Sequence, residues 1–144
     1  APLWGTVNSL LETIDDRSKL HVIRDATRGG VGTVLYEIAA ESNVGIKLDA
    51  SSIPVDPTVK GVCGMLGLEP LYLACEGRLV IFAPKDIAPE LVAALRQGKY
   101  SKDAAIIGEV VADKTLAGKV VLNTEIGTQT MLPAPGGELL PRIC

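Results

Sequence analysis

Val7, Leu10, Leu11 and Ile14 recur at the spacing of one helical face, and the polar run Asp15-Asp16-Arg17-Ser18-Lys19 then ends that pattern. The next apolar stretch, LHVI at 20–23, reads as a short strand. Beyond the polar, glycine-containing segment RDATRGG, Val31, Val34, Leu35, Ile38 and Ala39 fall at i, i+3, i+4, i+7 and i+8. This is the stripe of an amphipathic helix, predicted to run to about Asn43, with GIKLD from Gly45 as the following strand. Asp56-Pro57 has the form of an N-cap followed by proline at the first helical position. Val59, Val62, Cys63 and Leu66 supply that helix's apolar face and Gly67 its end, which puts Cys63 in the core. RLVIFAP is a continuous apolar strand, and Asp86 is placed to cap the next helix, with Leu91, Val92 and Leu95 as its buried stripe and Gly98 at its C-terminus. AAIIGEVV and GKVVLNTEIG complete the strands.

Helices alternate with strands early and neighbouring strands come late, so the pattern predicts an α/β fold in which a mixed β-sheet is packed with helices. After residue 132 the character changes: three prolines and two glycines fall within residues 133–144. The expectation is a domain of residues 1–132 followed by an extended, mobile tail, 133–144.

With 144 residues, 47% of them hydrophobic, the chain can build one core of its own. A net charge of -3 gives no general electrostatic footprint for nucleic acid or an anionic membrane, so any anion site must be local. No apolar run approaches the roughly 18–20 residues of a membrane span, and the opening APLWGTVNSLL lacks the basic region of a secretory signal; a cytoplasmic protein is expected. The start on APLW without Met reads as a piece continuing from another domain. Cys63, Cys75 and Cys144, with His21 as the only histidine, have no zinc-site spacing, and neither a metal site nor a disulfide framework is expected.

Two stretches can carry chemistry. In RDATRGGVG a strand ends at Arg24-Asp25 and a helix begins near Gly30 or Val31, so backbone N–H groups and the positive end of a helix dipole point at one spot where glycines admit an anion. The alternative is structural: Asp25 or Thr27 caps the helix and the glycines make the turn. Capping alone does not explain Arg28. The second stretch is the closing PRIC. A terminal cysteine ordinarily means nothing, but twelve residues from Pro133 reach about 40 Å at roughly 3.3 Å each, so the Cys144 thiol can visit a distant site. Its own α-carboxylate disfavours thiolate, whereas Arg142 or a cationic receiving site favours it.

Taken together, RDATRGG and LPRIC, with NVGIKLDASSIPV, GVCGMLGLEPLYLACEGRLV and DAAIIGEVV between them, resemble the C-terminal half of the HypE family. These are the carbamoyl dehydratases of nickel-iron hydrogenase maturation, in the superfamily of aminoimidazole ribonucleotide synthetase and selenophosphate synthetase. The resemblance implies that Cys144 accepts a carbamoyl group from the carbamoyltransferase HypF. ATP then drives dehydration of the thiocarbamate to a thiocyanate, whose cyanide reaches the hydrogenase iron through the HypC–HypD complex. It further implies an ATP and Mg site supplied mostly by an N-terminal domain absent from this chain, and a homodimer of the full-length protein. The likeness of YLACEGR to the family's usual ANEGK segment assigns Glu76 as general base. Arg28 is implied to orient the tail or stabilise phosphate charge, and Asp25, Thr27, Gly29 and Gly30 to hold the loop or the nucleotide phosphates. Cys75 departs from the family, standing where Asn is usual. Two other readings stay open: a non-catalytic docking module whose tail recruits maturation partners, and another ATP-using superfamily member acting on a small molecule.

Overall fold

The structure, a computed structural model, describes residues 2–14 and 16–136. The predicted tail beyond Gly136, Cys144 included, lies outside the described residues. In chain order the elements are α1 (Trp4–Thr13), β1 (Val22–Asp25), α2 (Gly30–Ser42), β2 (Gly45–Asp49), α3 (Pro57–Leu66), β3 (Leu79–Phe82), α4 (Ala88–Arg96), β4 (Gly108–Val111), β5 (Val120–Asn123) and β6 (Gln129–Met131). The strands form two sheets. β1 and β3 make an antiparallel ribbon, and the other sheet has the order β4-β2-β5-β6. The second is mixed, with β2 parallel to β5 and the remaining pairs antiparallel.

The α2 stripe predicted from periodicity is the centre of the core: Val31, Val34, Leu35, Ile38 and Ala39 are all buried. They pack with Ile46 and Leu48 of β2, Val120 of β5 and Val80 of β3. Each of the valine, leucine and isoleucine side chains contributes about 1.5–3 kcal/mol by leaving water. On the other face of the ribbon, Ile23 and Ile81 pack against Leu10 and Ile14 from the α1 segment and Leu91 of α4. Alternation along β3 therefore sends Val80 towards α2 and Ile81 towards α1 and α4. A strand covered on both faces reads as a continuous apolar run, which is why RLVIFAP does not alternate.

Asp56 caps α3 as expected, its Oδ1 accepting from the N–H groups of Thr58 at 2.8 Å and Val59 at 3.4 Å; Gly67 ends the helix at φ 67°. Three further aspartates, Asp16, Asp49 and Asp113, accept from the residue two positions on in the same way. Hydrogen bonds from Ser or Thr hold all four carboxyls below the usual range.

Two expectations need correction, and one strand went unpredicted. Asp86 does not cap α4: the N-cap is Ile87, with no side-chain bond, and Pro89 lies in the first turn. In α3 only Cys63 is buried, while Val59, Val62 and Leu66 are 40%, 49% and 65% exposed, so most of the apolar stripe faces outward. β6 was not foreseen. It is fully exposed along its length and fixed by backbone pairing with β5, so apolar periodicity carries no sign of it.

Candidate functional site

The register of the ribbon brings the two internal stretches together. Its ladder runs from Val22 opposite Phe82 to Asp25 opposite Leu79, so the end of β1 meets the start of β3. Bonding continues past the strands: Ala26 N–H donates to the Arg78 carbonyl at 3.0 Å, and Cys75 N–H to the Ala26 carbonyl at 3.4 Å. Glu76, in the turn it makes with Gly77, therefore sits beside Ala26, between Asp25 and Thr27 in sequence. Ala26 is fully buried under this junction, while Asp25, Arg28 and Glu76 are exposed above it. Among the described residues neither Arg28 nor Glu76 is in an ion pair.

Capping by Asp25 or Thr27 is not what the structure shows. Thr27 Oγ1 donates instead to Asp25 Oδ2 at 3.0 Å, and the α2 N-cap is Gly29, in the left-handed region at φ 71° with no side-chain bond. The first amides of α2 are thus uncapped by side chains, an arrangement that suits a phosphate group. Gly30 has a different reason to be glycine than anion approach. Its φ is 63°, and a Cβ there would lie 2.4 Å from the Leu71 carbonyl oxygen and 2.6 Å from that of Leu73. Gly30→Ala combines a left-handed L-residue with overpacking against backbone and is expected to destabilise the chain by about 2–4 kcal/mol in urea unfolding; a loss under about 1 kcal/mol would contradict this contact.

The segment 70–73 and α2 also hold the chain just past β6. Tyr36 of α2 donates its hydroxyl to the Leu132 carbonyl, and Tyr72 donates to the Pro133 carbonyl. The Tyr72 ring lies flush on Gly32, where a Cβ would come within 2.5 Å of it. Burial raises the pKa of both phenols, Tyr72 to about 12 with added repulsion from Tyr36 and Glu69, so both stay protonated donors at neutral pH. A groove of about 230 Å³ runs alongside, between Leu68, Glu69 and Tyr72 on one side and Pro133, Ala134 and Gly136 on the other. These tyrosines were missed in the sequence, where the available signal was that a phenol on an apolar face needs a hydrogen-bond partner when buried.

Neither this groove nor a second cavity beside His21 and Phe82 is lined by Asp25, Thr27, Gly29 or Gly30. Those residues fit a phosphate, and they do not by themselves enclose a nucleoside. Cys63 is buried and Cys75 half-buried, its Sγ 3.8 Å from the Glu76 carbonyl oxygen. Among the described residues no cluster of His, Cys, Asp and Glu is arranged to hold a metal ion, and no helix is long and apolar enough to cross a membrane.

The chain is 44% identical over 142 residues to the carbamoyl dehydratase HypE of Escherichia coli strain K12, an alignment covering 97% of this chain and 40% of that protein. Among solved structures, a HypE–HypF complex matches with a TM-score of 0.84 at 39% identity, over 94% of this chain and 42% of the other. The hydrogenase maturation protein HypE in complex with ATP matches with a TM-score of 0.83 at 39% identity, over 95% and 42%. The chain thus spans about two-fifths of the length of these relatives. Residues 4–121 match the family described as AIR synthase related protein, C-terminal domain, and the chain belongs to that family.

Proposed function

We propose that this chain is the C-terminal part of an ATP-dependent carbamoyl dehydratase that converts a carbamoylated C-terminal cysteine to a thiocyanate, the source of cyanide ligands for nickel-iron hydrogenase. One observation carries the reading: the 25–30 loop is tied to the 75–78 turn through Ala26 and packed through Gly30 on the 71–73 segment, whose Tyr72 also holds the chain at Pro133. Similarity to HypE over nearly the whole chain supports it.

In this reading residues 133–144 are an arm and Cys144 its thiol carrier, charged by HypF. ATP phosphorylates the carbamoyl oxygen, which turns a poor leaving group into phosphate. Loss of both N–H protons and of phosphate then leaves S–C≡N, with ADP and phosphate as the other products. Glu76 takes a proton from nitrogen. Arg28 orients the arm or balances phosphate charge, and the uncapped amides near Gly29 and Gly30, with Thr27 and Asp25, hold a phosphate. An N-terminal domain supplies the rest of the ATP site and its Mg, and the full-length protein is a cytoplasmic homodimer that passes cyanide on through HypC–HypD. The solved complexes of HypE with ATP and with HypF support the nucleotide and the first partner.

The test is intact-mass and peptide analysis of the full-length protein incubated with HypF, carbamoyl phosphate and ATP. A carbamoyl adduct on Cys144 that loses the elements of water is expected, and an unmodified Cys144 would refute the reading.

A further inference from the structure

We infer that Tyr36 and Tyr72 are positioning residues: their two hydroxyls clamp consecutive carbonyls, at Leu132 and Pro133, and so fix the point and direction from which the cysteine-bearing arm starts. This rests on the carrier function proposed above for Cys144. The two donors come from separate elements, Tyr36 from the middle of α2 and Tyr72 from the turn at Pro70–Tyr72. Both reach the chain just past the last strand, where the groove begins. Leu132 is itself buried, and its N–H donates to the Val120 carbonyl at 2.9 Å, so three hydrogen bonds hold two residues.

Packing alone does not require these hydroxyls, because phenylalanine would fill the same volume. The phenolic oxygens serve to pair carbonyls that β6 leaves unpaired as the chain departs from the sheet. The clamp also lies next to the candidate chemistry. Tyr72 abuts Gly32 in the first turn of α2, and Gly30 is pressed onto the carbonyls of Leu71 and Leu73, so the arm's base and the 25–30 loop are mounted on one short segment. Eleven residues follow Pro133, a reach of about 36 Å at roughly 3.3 Å each, so a fixed base confines Cys144 to a sphere centred beside that loop. Anchoring a tether raises the effective concentration of its end at a nearby site and restricts its approach.

The experiment uses the full-length protein with Tyr36→Phe and Tyr72→Phe, singly and together, which keep the rings and remove only the hydroxyls. Hydrogen exchange of the Leu132 amide reads the clamp, and each substitution is expected to speed it about fivefold. Single-turnover dehydration of protein already carbamoylated on Cys144 reads the positioning, and in the double variant it is expected to slow about three- to tenfold. The KM for ATP and the rate at which HypF carbamoylates Cys144 should stay as in the wild type. Unchanged exchange, an unchanged dehydration rate despite faster exchange, or an equal fall in carbamoylation would each overturn the inference. Wild-type protein that takes no carbamoyl group, or never converts it, would instead overturn the functional reading, and the positioning role with it.

Discussion

Cys144→Ala is expected to abolish turnover outright, leaving neither a carbamoyl nor a cyano adduct anywhere on the full-length protein, while ATP still binds. In the proposed reaction the sulfur is the atom through which the reacting carbon is attached, so its loss would remove the substrate itself as well as the nucleophile. Neither of the other thiols can stand in. Cys63 is 3% exposed on the buried side of α3, and Cys75 is half-buried beside a turn, its backbone tied to Ala26. Cys144→Ser should fail as well, because a hydroxyl supplies almost no anionic nucleophile at neutral pH where a thiol supplies a few per cent. Intact mass after incubation with HypF, carbamoyl phosphate and ATP makes the measurement, with isothermal titration of ATP as the control. Retention of hydrogenase maturation by Cys144→Ala would favour a docking module, in which the tail recruits partners and carries nothing.

Local rules were enough wherever burial on one helical face or a single cap decides structure. The α2 stripe from Val31 to Ala39, the Asp56-Pro57 start and the Gly67 stop all stand in the structure as the sequence implied. The misses have a common origin in partners distant along the chain. Asp86 and Ile87 are adjacent, and which of them becomes the N-cap depends on how α4 lies on the ribbon, because no side-chain bond settles it. Asp25 and Thr27 had the chemistry of caps, yet they bond to each other while Gly29 turns the chain. Val59, Val62 and Leu66 have a core pattern, and nothing in their spacing says that the described chain offers α3 little to pack on. The site shows the same limit. RDATRGG and YLACEGR were each visible, but their juxtaposition is made by the antiparallel register of β1 and β3, a pairing that no local pattern encodes. The role of Gly30 likewise became specific only when the Leu71 and Leu73 carbonyls were found where its Cβ would be.

Glu76→Gln should slow dehydration of carbamoylated Cys144 by about 10²–10⁴-fold, the range usual for removing a general base. Glutamine keeps the length and the acceptor oxygen of the side chain but cannot take up the nitrogen's proton, so binding and chemistry separate. Carbamoylation by HypF and the affinity for ATP should be unaffected, because neither step asks Glu76 for proton transfer. Stability should change by no more than about 0.5 kcal/mol, since Glu76 is exposed in its turn and, among the described residues, is in no ion pair. The measurement is single-turnover mass spectrometry with ATP in excess, beside thermal unfolding of the same protein. A variant that retains half the wild-type rate would place the base elsewhere. Asp25 is then the next carboxylate to test, because it precedes Ala26, whose backbone pairs with Cys75 and Arg78 on either side of Glu76. A loss shared equally by carbamoylation and dehydration would point instead to a turn that shapes the docking of the arm. Cys75→Asn divides these cases further: if an amide beside Glu76 orients it, this change should raise the dehydration rate where Glu76 is intact and have no effect when combined with Glu76→Gln.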